Sequence, residues 1–402
     1  MTASETPRLP YSPGSFVVAA FSRGPYDDYA RVLENQRLLA FYALGTRRGA
    51  QGIPPGRTRL KPVFGLLNYA AAKTLPTFTA ESLRFRLFPV FDRWVKSLLQ
   101  PGQHLLTSVA FVNQCQHWVR RHGGLVFVDS GNSHPRFFWK LLKEEQKRWK
   151  SPYPPVARHF NLRGAESADA GDYIFAESTF VRDSFIQEGA DPKRIFLCTL
   201  PVNIDWFKPS EIERPKSRPL TLLNTGALCL RKGTPYLLES FRLILKKEPG
   251  AILRLSRMVR DDAKEVLRTY SDLPIDWAPP FNLRFEDQRR QYVERYQTSD
   301  IFVFPTIEEG FVRVVAEAMA CGLPVITTRN AGSSDLIEPG VDGEIVPIRD
   351  PAATAEAVLK WWAKIQEGKR LENLARMRDR LSFETFEKTV VGHLASVRLS
   401  RR

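Results

Sequence analysis

Short apolar runs alternate with amphipathic segments along most of the 402-residue chain. Uninterrupted runs rich in Val, Ile, Leu and Phe predict strands of a parallel sheet that is covered on both faces. Apolar residues spaced three and four positions apart between these runs predict helices. The predicted strands lie at residues 16–21, 105–111, 125–128, 173–176, 195–198, 220–223, 251–255 and 301–304. The pattern therefore predicts the α/β class.

The alternation of strands and helices occurs twice along the chain. Residues 208–219 separate the two halves and combine prolines with charged residues, a composition typical of a linker. We predict an N-terminal domain at 1–209, a C-terminal domain at 210–381, and a C-terminal helix within 382–402 that could pack back on the N-terminal domain. Two such halves predict two doubly wound, Rossmann-like domains that face each other across a cleft.

The first half also contains less regular segments. Apolar spacing predicts one helix over residues 28–43 and a basic amphipathic helix over residues 83–99. Two interpretations of the second helix stay open: it lies on a partner or membrane surface, or it packs its aromatic face on the core. Residues 46–80 are rich in Gly, Pro and Arg and contain one short apolar piece, residues 64–72.

The composition is that of a globular protein, with 43% hydrophobic and 26% charged residues. The four cysteines are widely scattered and show no spacing typical of a disulfide framework or a metal site, which favours a reducing cytoplasm. No apolar run approaches the roughly 20 residues that span a bilayer, and the N-terminal segment lacks the pattern of a signal peptide. We therefore expect a cytoplasmic protein.

The net charge of +15 is unevenly distributed, because no acidic residue occurs between Glu34 and Glu81. The basic residues of this interval are Arg37, Arg47, Arg48, Arg57, Arg59, Lys61 and Lys73. They form either a solvated loop region or a surface that meets anions such as phospholipid headgroups, a lipid diphosphate or an acidic saccharide. Nucleic acid is a less favoured partner, because no zinc-finger, helix-turn-helix or RNP-type motif is present.

Residues 301–326 form the most informative stretch, which predicts a strand, a helix and a second strand. Glu309 lies at the carboxyl end of the first strand, where open α/β sheets bind ligands. Glu317 follows in the helix, about 10 Å away by helix geometry. The free N–H groups around Gly310, Phe311 and Val312 favour an anion such as a diphosphate between the two acids. Two acids beside a diphosphate would suit a nucleotide sugar, whose two sugars carry the hydroxyls that they could bind.

Simpler interpretations of both acids stay open. Glu317 stands four residues after Arg313, which is the spacing of a surface ion pair on a helix. Glu309 could be an acid that stabilises a helix N-terminus without binding any ligand.

A second group of candidates, Arg231 and Lys232, precedes another predicted helix. Thr234 is expected to be its N-cap and Pro235 its first residue. Cations before a helix N-terminus are mildly unfavourable unless an anion joins them. The pair is therefore either a phosphate clamp or a solvated turn.

Two further candidates lie in loops after strands of the first half. His134, in a Gly-Asn-Ser-His turn, could bind a donor sugar or assist an acceptor hydroxyl, or it could simply cap a helix. Gly24, in the turn that breaks the first strand, is included among the candidate substrate-binding residues.

These motifs together resemble the family-4 retaining glycosyltransferases, which have the GT-B fold. The resemblance covers roughly residues 120–350 and does not extend to residues 35–110. It is carried by three stretches, EEGFVRVVAEAMACGLPVITTRNAGSSDLIEPGVDGEIVP, TGALCLRKGTPYLLESF and AESTFVRDSFIQEGADPKRIFLCTLPVNIDWFKP. It implies an acceptor-side N-terminal domain and a nucleotide-sugar-binding C-terminal domain.

The resemblance also implies roles for individual residues. Glu309 matches the acid that holds the donor sugar, and Glu317 the acid that binds the ribose hydroxyls. Lys232 matches the lysine on the diphosphate. The loop residues Gly310, Phe311 and Val312 match backbone that meets sugar and diphosphate, and His134 matches, more loosely, a histidine near the donor sugar.

Two positions depart from the family pattern. Ala227 stands where many members have an arginine that joins the lysine on the diphosphate, and Arg231 could compensate. Val312 stands where glycine is common, and a valine constrains the backbone there.

The leading hypothesis is a retaining glycosyltransferase that uses a UDP- or GDP-sugar as co-substrate, with no cofactor and no metal. We expect a saccharide or lipid-linked acceptor from cell-envelope polysaccharide or glycoconjugate synthesis, and a protein that could bind peripherally to the membrane. Two alternatives remain. One is a GT-B-fold sugar phosphorylase or nucleotide-sugar epimerase, for which Arg23 and Arg136 could form a further phosphate pocket. The other is a non-catalytic basic membrane or glycan adaptor.

Overall fold

The chain folds into two compact units, each built around one parallel sheet. The structure, a computed structural model, describes residues 9–154, 158–211, 215, 217–256 and 258–397. Within this part, residues 9–139, 158–201 and 383–397 belong to the first unit, and residues 140–154, 202–211, 215, 217–256 and 258–382 belong to the second. The predicted linker at 208–219 lies partly outside the described residues.

The first unit contains a seven-stranded sheet in which all paired strands are parallel. Its elements are β1 (Phe16–Ala20), α1 (Tyr26–Asn35), β2 (Leu39–Leu44), β3 (Thr58–Leu60), α2 (Pro62–Thr74), α3 (Thr77–Lys96), β4 (His104–Ser108), α4 (Asn113–Arg121), β5 (Val126–Ser130), the start of α5 (Pro135–Arg148), α6 (Arg158–Ala170), β6 (Tyr173–Ala176), α7 (Thr179–Gln187) and β7 (Ile195–Leu197). Helix α5 belongs to the second unit from residue 140 onward. The strand order is β3-β2-β1-β4-β5-β6-β7.

The second unit contains a six-stranded sheet, again with parallel pairing. Its elements are β8 (Thr221–Leu223), α8 (Thr234–Leu245), β9 (Ile252–Ser256), α9 (Lys264–Thr269), β10 (Ile275–Ala278), α10 (Glu286–Gln297), β11 (Ile301–Phe304), α11 (Arg313–Ala320), β12 (Val325–Thr328), β13 (Gly343–Val346), α12 (Pro351–Gln366) and α13 (Leu374–Leu381). The strand order is β10-β9-β8-β11-β12-β13. The two Rossmann-like α/β units confirm the predicted fold class.

The central strands are buried on both faces, which explains why they read as continuous apolar runs. Every residue of β1, β4, β5, β8, β11 and β12 is buried. In the second unit, helices α8 and α12 pack together against the sheet, with Phe241 and Trp361 fully buried between them and the strands. These layers hold the loops at the carboxyl ends of the strands in fixed positions.

The last helix, α14 (Phe383–Ser396), packs on the first unit. The ring of Phe386 lies 5.0 Å from that of Tyr29, and the Arg31 guanidinium lies 3.3 Å from the centre of the Phe383 ring. His393 Nε2 is 2.9 Å from the carbonyl oxygen of Leu197.

The prediction of one helix over residues 28–43 was wrong. Helix α1 ends at Asn35, and the chain reverses at Arg37, whose φ of 59° is left-handed. The Leu38 N–H then donates to the Leu33 carbonyl at 2.8 Å, which closes the helix. Residues 39–44 form β2 beside β1, because their apolar side chains are buried on both faces of the sheet.

The predicted basic helix at 83–99 is the second half of α3, and its aromatic face belongs to the core. Phe85, Phe88, Phe91 and Val95 are all buried in one cluster of the first unit. The interpretation as an outer helix that packs on the core is therefore confirmed for this face. The unassigned segment 46–80 contains β3 and α2.

Each sheet has one place where the strand order changes direction along the chain. It lies between β1 and β4 in the first unit and between β8 and β11 in the second. Ligands of open α/β sheets bind outside the carboxyl ends of strands at such switch points. The loops 224–233 and 305–312 follow β8 and β11, so the main sequence candidates lie at the switch point of the second unit.

Gly233 allows these two loops to touch. Its φ of 71° is left-handed, and it is the N-cap of α8. A Cβ atom at this position would lie 1.9 Å from the carbonyl oxygen of Pro305. A side chain here would therefore require the 305–312 loop to move, in addition to the strain of the left-handed backbone.

We predict that Gly233→Ala lowers the stability of the protein by about 2 to 4 kcal/mol. In a thermal melt this corresponds to a decrease of the apparent Tm by roughly 5 to 12 °C for a unit of this size. The matched control is Gly392→Ala in α14, where an added Cβ meets no atom within 4 Å. That variant should be neutral or more stable, by up to about 1 kcal/mol. Equal melting of Gly233→Ala and the wild type would show that the loops do not depend on this contact.

Candidate functional site

The structure brings Arg231, Lys232 and Glu309 together at the switch point of the second unit. Glu309 Oε2 lies 2.8 Å from Arg231 Nη1 and 3.2 Å from Lys232 Nζ. The side chains of all three residues are at most one-quarter exposed. One carboxylate thus binds both cations that precede α8.

Arg231 also fixes the backbone of the loop that carries Glu309. Its carbonyl oxygen accepts hydrogen bonds from the Ile307 N–H at 2.9 Å and from the Thr306 hydroxyl at 3.1 Å. Its guanidinium donates to the Glu308 carbonyl at 3.0 Å and lies 3.3 Å from the Glu308 carboxylate. Because Glu308 is fully buried, this second ion pair is part of the interior.

On its other side, the Glu309 backbone is held by the segment after β12. The Glu309 N–H donates to the Asn330 carbonyl at 3.0 Å, and the Gly332 N–H donates to the Glu309 carbonyl at 2.8 Å. Glu309 and Ala331 form a short parallel bridge. The carboxylate therefore projects from backbone that is anchored on both sides.

The electrostatics keep Arg231 and Glu309 charged. Burial alone would lower the pKa of the Arg231 guanidinium, but the carboxylates of Glu309 and Glu308 outweigh it and the net pKa is raised. Burial alone would raise the pKa of Glu309, but Arg231 and Lys232 outweigh it and the net pKa is lowered. The cluster is a set of compensated charges at neutral pH.

Lys232 lies beside an open edge of the site formed by Gly226. The φ of Gly226 is 110°, and a Cβ placed there would lie 3.6 Å from Lys232 Nζ. The ammonium also lies 5.4 Å from the centre of the Phe304 ring. The absence of a side chain at Gly226 thus leaves space next to the ammonium group.

Residues 310–312 lead directly into α11. Val312 is the N-cap and has φ −103° and ψ 93°, an ordinary extended conformation for valine. Its side chain is buried, as is that of Phe311. The backbone at Val312 therefore does not require the glycine that is common in the resembling family.

Glu317 is bound by two tyrosines of α10, which the sequence analysis missed. Glu317 Oε2 accepts hydrogen bonds from the hydroxyls of Tyr296 at 2.7 Å and Tyr292 at 3.0 Å. The Tyr296 hydroxyl is also 2.9 Å from Thr225 Oγ1, which belongs to the loop after β8. Within the described chain, Glu317 makes these bonds and no ion pair with Arg313. The spacing of the two tyrosines, four residues apart before a predicted strand, was the available indication.

The pKa of Glu317 is raised because the carboxyl is buried, although hydrogen bonds from Tyr296 and Tyr292 offset part of this effect. The two acids of the motif thus have opposite environments. Glu309 is surrounded by cations and Glu317 by phenols.

The N-cap of α8 lies one residue before the position expected from the sequence. Gly233, rather than Thr234, is the N-cap, and Pro235 occupies the second helical position. The Thr234 hydroxyl instead donates to the Cys229 carbonyl at 3.0 Å, because the left-handed Gly233 turns the chain into the helix one residue earlier.

His134 lies in the first unit, between β5 and α5. Its ring is buried, and Nδ1 accepts the Arg136 N–H at 3.2 Å, as a capping histidine does. Its Nε2 lies 3.7 Å from Asp169 Oδ1. Burial and the Arg136 charge lower the pKa of His134, which favours the neutral ring.

Gly24 also lies in the first unit, in the turn between β1 and α1 at the switch point of that sheet. Its carbonyl accepts the Asp27 N–H at 3.0 Å. The neighbouring Arg23 is bound by Asp27 at 2.8 Å, and Arg136 is bound by Asp169 at 3.0 Å and by Glu188 at 3.2 Å.

Asp129 is a second feature that sequence reasoning missed. It lies in β5 and is fully buried, and the hydroxyl of Tyr29 offsets only part of the cost of this burial. Burial raises its pKa well above the ordinary range of an aspartate. Among the described residues, no group of three or more His, Cys, Asp or Glu side chains is arranged to bind a metal, and no helix is long and apolar enough to cross a bilayer.

Comparison with known proteins relates the second unit to a family of transferases. Residues 219–364 match the family model described as "Glycosyl transferases group 1". D-inositol 3-phosphate glycosyltransferase of Geodermatophilus obscurus is 28% identical over 188 residues, which is 42% of this chain and 40% of that protein. The putative colanic acid biosynthesis glycosyltransferase WcaL of Salmonella typhimurium is 24% identical over 60% of each chain. The chain thus spans about half the length of these curated relatives.

Solved structures show the fold over almost the whole chain. Anabaena HepE, determined in complex with UDP and glucose, superposes with a TM-score of 0.59 at 15% identity and covers 95% of this chain and 99% of its own. The lipopolysaccharide outer core galactosyltransferase WaaB superposes with a TM-score of 0.60 at 14% identity, covering 94% and 99% of the two chains. These findings confirm the GT-B fold and support the predicted relationship to group 1 glycosyltransferases.

The buried Asp129 gives a pH-dependent prediction about stability. The pKa of Asp129 is higher in the folded protein than in the unfolded chain. Its contribution to the stability of the folded protein is therefore most favourable at low pH and is lost as pH rises through the folded-state pKa. We predict that Asp129→Asn, an isostere of the neutral acid, stabilises the protein by about 1 to 3 kcal/mol at about pH 8 and loses this gain near pH 4. Thermal melts across this range measure the difference.

Asp92 provides the matched control, because it is equally buried but fully bonded. Its carboxylate accepts the N–H groups of Gln114 and Cys115 at 2.8 and 3.1 Å and pairs with Arg163 at 2.7 Å. Asp92→Asn should therefore destabilise the protein at about pH 8. Destabilisation by both variants at that pH would contradict the assignment of Asp129 as an unfavourable buried charge.

Proposed function

We propose that the protein is a retaining glycosyltransferase that moves a sugar from a nucleotide diphosphate sugar to a saccharide or lipid-linked acceptor. One observation carries the proposal: Glu309 is bound by Arg231 and Lys232 at the switch point of the sheet, immediately before the N-terminus of α11. The family match of residues 219–364 supports the same reaction class.

Lys232 is the group best placed to bind the diphosphate. Its ammonium lies beside the space at Gly226, whereas the Arg231 guanidinium is held by Glu308 and Glu309. Arg231 therefore acts as a positioning residue that keeps Glu309 and the loop in place, and it compensates only indirectly for Ala227. The backbone of Gly310, Phe311 and Val312 leads into α11, whose N-terminus supplies the second source of positive potential.

Glu317 is suited to bind the ribose. The two tyrosine hydroxyls use Oε2, which leaves Oε1 for a hydroxyl of the nucleotide. The tyrosines fix the rotamer of the carboxylate, so that a bound ribose does not have to order it.

Glu309 is assigned to the hydroxyls of the donor sugar. In the reaction the acceptor hydroxyl attacks the anomeric carbon on the face from which the nucleotide diphosphate departs. The bond from that carbon to the diphosphate oxygen breaks, a new carbon–oxygen bond forms, and the hydroxyl proton passes to the departing phosphate. Lys232 and the α11 N-terminus stabilise the charge that grows on the leaving group, the electrostatic contribution that usually dominates such catalysis.

His134 is assigned to the same reaction as a neutral imidazole. Its Nδ1 accepts the Arg136 N–H, which fixes the tautomer that carries a proton on Nε2. The Nε2 proton lies beside the Asp169 carboxylate, with Nε2 3.7 Å from Oδ1, so the ring is not a base with a free Nε2 lone pair. Gly24 is assigned to a backbone contact with the substrate.

The roles ascribed to the similar proteins favour a role in polysaccharide or glycoconjugate synthesis. These proteins include colanic acid and amylovoran biosynthesis glycosyltransferases, and the structural neighbours include a galactosyltransferase of the lipopolysaccharide outer core. HepE, which was solved with UDP and glucose, makes UDP-sugars the first donors to test, with GDP-sugars next.

The phosphorylase alternative is less well supported, because it requires a further phosphate pocket. Both arginines considered for that pocket are already paired with carboxylates, Arg23 with Asp27 and Arg136 with Asp169 and Glu188. The adaptor alternative makes a different prediction, namely that the protein binds no nucleoside diphosphate.

The proposal predicts that one class of nucleoside diphosphate raises the melting temperature of the protein. At a ligand concentration 100 times Kd the stabilisation is about 2.7 kcal/mol. Glu317→Gln should bind the nucleotide at least about tenfold more weakly, because it exchanges a charge-assisted hydrogen bond for a neutral one. A thermal-shift screen over all common bases measures the effect.

Glu239→Gln, an exposed change on α8, is the control for the loss of one acidic group in the same unit. The melting temperature of this variant should rise with nucleotide as that of the wild type does. The absence of a response to every nucleoside diphosphate would refute the proposed function. Once a donor is known, an inverted anomeric configuration in the product, read by NMR, would contradict retention.

A further inference from the structure

Helix α2 exposes an apolar face to solvent. Val63, Leu66 and Leu67 are each close to half exposed, at 46%, 47% and 45%, and Tyr69 is 60% exposed. Val63, Leu66, Leu67 and Ala70 are spaced three, four and seven positions apart, so they lie side by side on one face of the helix. Contiguous apolar surface of this kind is uncommon on monomeric soluble proteins and usually marks an interaction site.

An adjacent face of the helix is fixed to the first unit. Phe64 and Ala71, one above the other at a spacing of seven, are buried. Gly65 lies so close to the loop after β2 that a Cβ there would be 3.0 Å from the Gly45 carbonyl oxygen. The orientation of α2 is therefore set by packing, and its exposed face is not simply a frayed segment.

Five cations, called the cationic rim below, lie at the two ends of α2 and in the loop that packs against it. Arg47 and Arg48 lie in the loop that packs against Gly65, Arg59 and Lys61 immediately precede the helix, and Lys73 lies near its end. All five side chains are exposed. The Lys73 ammonium lies 4.8 Å from the centre of the Tyr69 ring.

No acidic residue occurs along the chain between Glu34 and Glu81, the interval that contains α2 and all five cations. Arg59 donates hydrogen bonds to the carbonyls of Gly56 and Thr58, whereas Arg47, Arg48, Lys61 and Lys73 form no ion pair with any described residue. These four cations can therefore meet anions from outside the chain. A protein that only needed solubility would gain nothing from excluding acids beside an exposed apolar face.

We propose that α2 and its cationic rim form a docking surface for an anionic lipid bilayer. The apolar residues would enter the headgroup region, Tyr69 would lie at the level of the interface, and the arginines and lysines would contact lipid phosphates. An apolar centre with a cationic rim fits this partner better than nucleic acid, which offers no apolar counterpart. The α2 surface lies within the first unit and does not depend on the proposed function.

The proposed membrane surface lies on α2, whereas one interpretation of the sequence placed it on the basic helix at residues 83–99. Helix α3, although basic and amphipathic, directs its aromatic residues into the core. Helix α2 carries a single charge, Lys73, over 13 residues, so its exposed face is nearly neutral and is charged only at its edges.

The test is flotation of the full-length protein with protein-free vesicles. Vesicles of phosphatidylcholine with about one-third phosphatidylglycerol should bind the protein at low salt, and pure phosphatidylcholine vesicles should bind it much less. Leu66→Glu with Leu67→Glu should abolish binding. Arg47→Gln with Arg48→Gln should lower the partition coefficient about thirtyfold at low salt, since each cation near the surface contributes about a factor of five.

Two matched controls separate the surface from general charge and hydrophobicity. Lys246→Gln with Lys247→Gln removes two exposed adjacent cations from the second unit, and Leu162→Glu changes an exposed leucine of α6. Both should bind vesicles as the wild type does. Circular dichroism melts establish that every variant is folded.

Three outcomes would overturn the proposal. The first is wild-type protein that fails to float with anionic vesicles at low salt. The second is equal loss of binding by the control variants, which would show unspecific adsorption. The third is a change of oligomeric state by Leu66→Glu with Leu67→Glu without any vesicle binding, which would assign the surface to a second copy of the chain.

Discussion

The ion pairs of Arg231 with Glu308 and Glu309 connect the two loops on which the candidate site is built. Arg231 lies in the loop after β8, and both glutamates lie in the loop after β11. These strands are neighbours at the switch point of the sheet, so the loops meet there as a consequence of topology. Gly233 allows the backbones to approach, and the pairing of a buried cation with two carboxylates then keeps them together. Removing one partner of such a group leaves a buried charge uncompensated, which typically costs about 3 to 5 kcal/mol.

The same motif places two chemically identical side chains in different surroundings. Cations lower the pKa of Glu309 and keep it ionised, whereas burial raises that of Glu317 and phenolic hydroxyls hold one of its oxygens. One loop and one helix can thereby offer a carboxylate that compensates two cations and a rigid hydrogen-bond acceptor. This division suits a ligand with a charged centre and hydroxyls on both sides, which is the chemistry of a nucleotide diphosphate sugar.

Sequence patterns predicted the class of fold and the position of the site better than its supporting contacts. Buried parallel strands and the acids at a strand end follow from local periodicity, so Glu309 and Lys232 could be found. Tyr292 and Tyr296 could not, because their approach to Glu317 depends on how α10 packs beside β11. Strand β2 was mistaken for helix because its apolar run follows α1 without a glycine or proline, and only the left-handed Arg37 separates the two. The exposure of α2 also required the tertiary structure, since apolar residues in a sequence predict burial by default.

The central claim, that the cluster of Lys232, Arg231 and Glu309 is built around a diphosphate, is tested most directly by calorimetric titration with matched nucleotides. For the base to which the protein responds, the nucleoside diphosphate should bind at least about tenfold more tightly than the monophosphate, since it adds one charge-assisted contact. Lys232→Gln should reduce this difference without unfolding the protein. Equal affinity for the two nucleotides, or an undiminished preference in Lys232→Gln, would contradict the account.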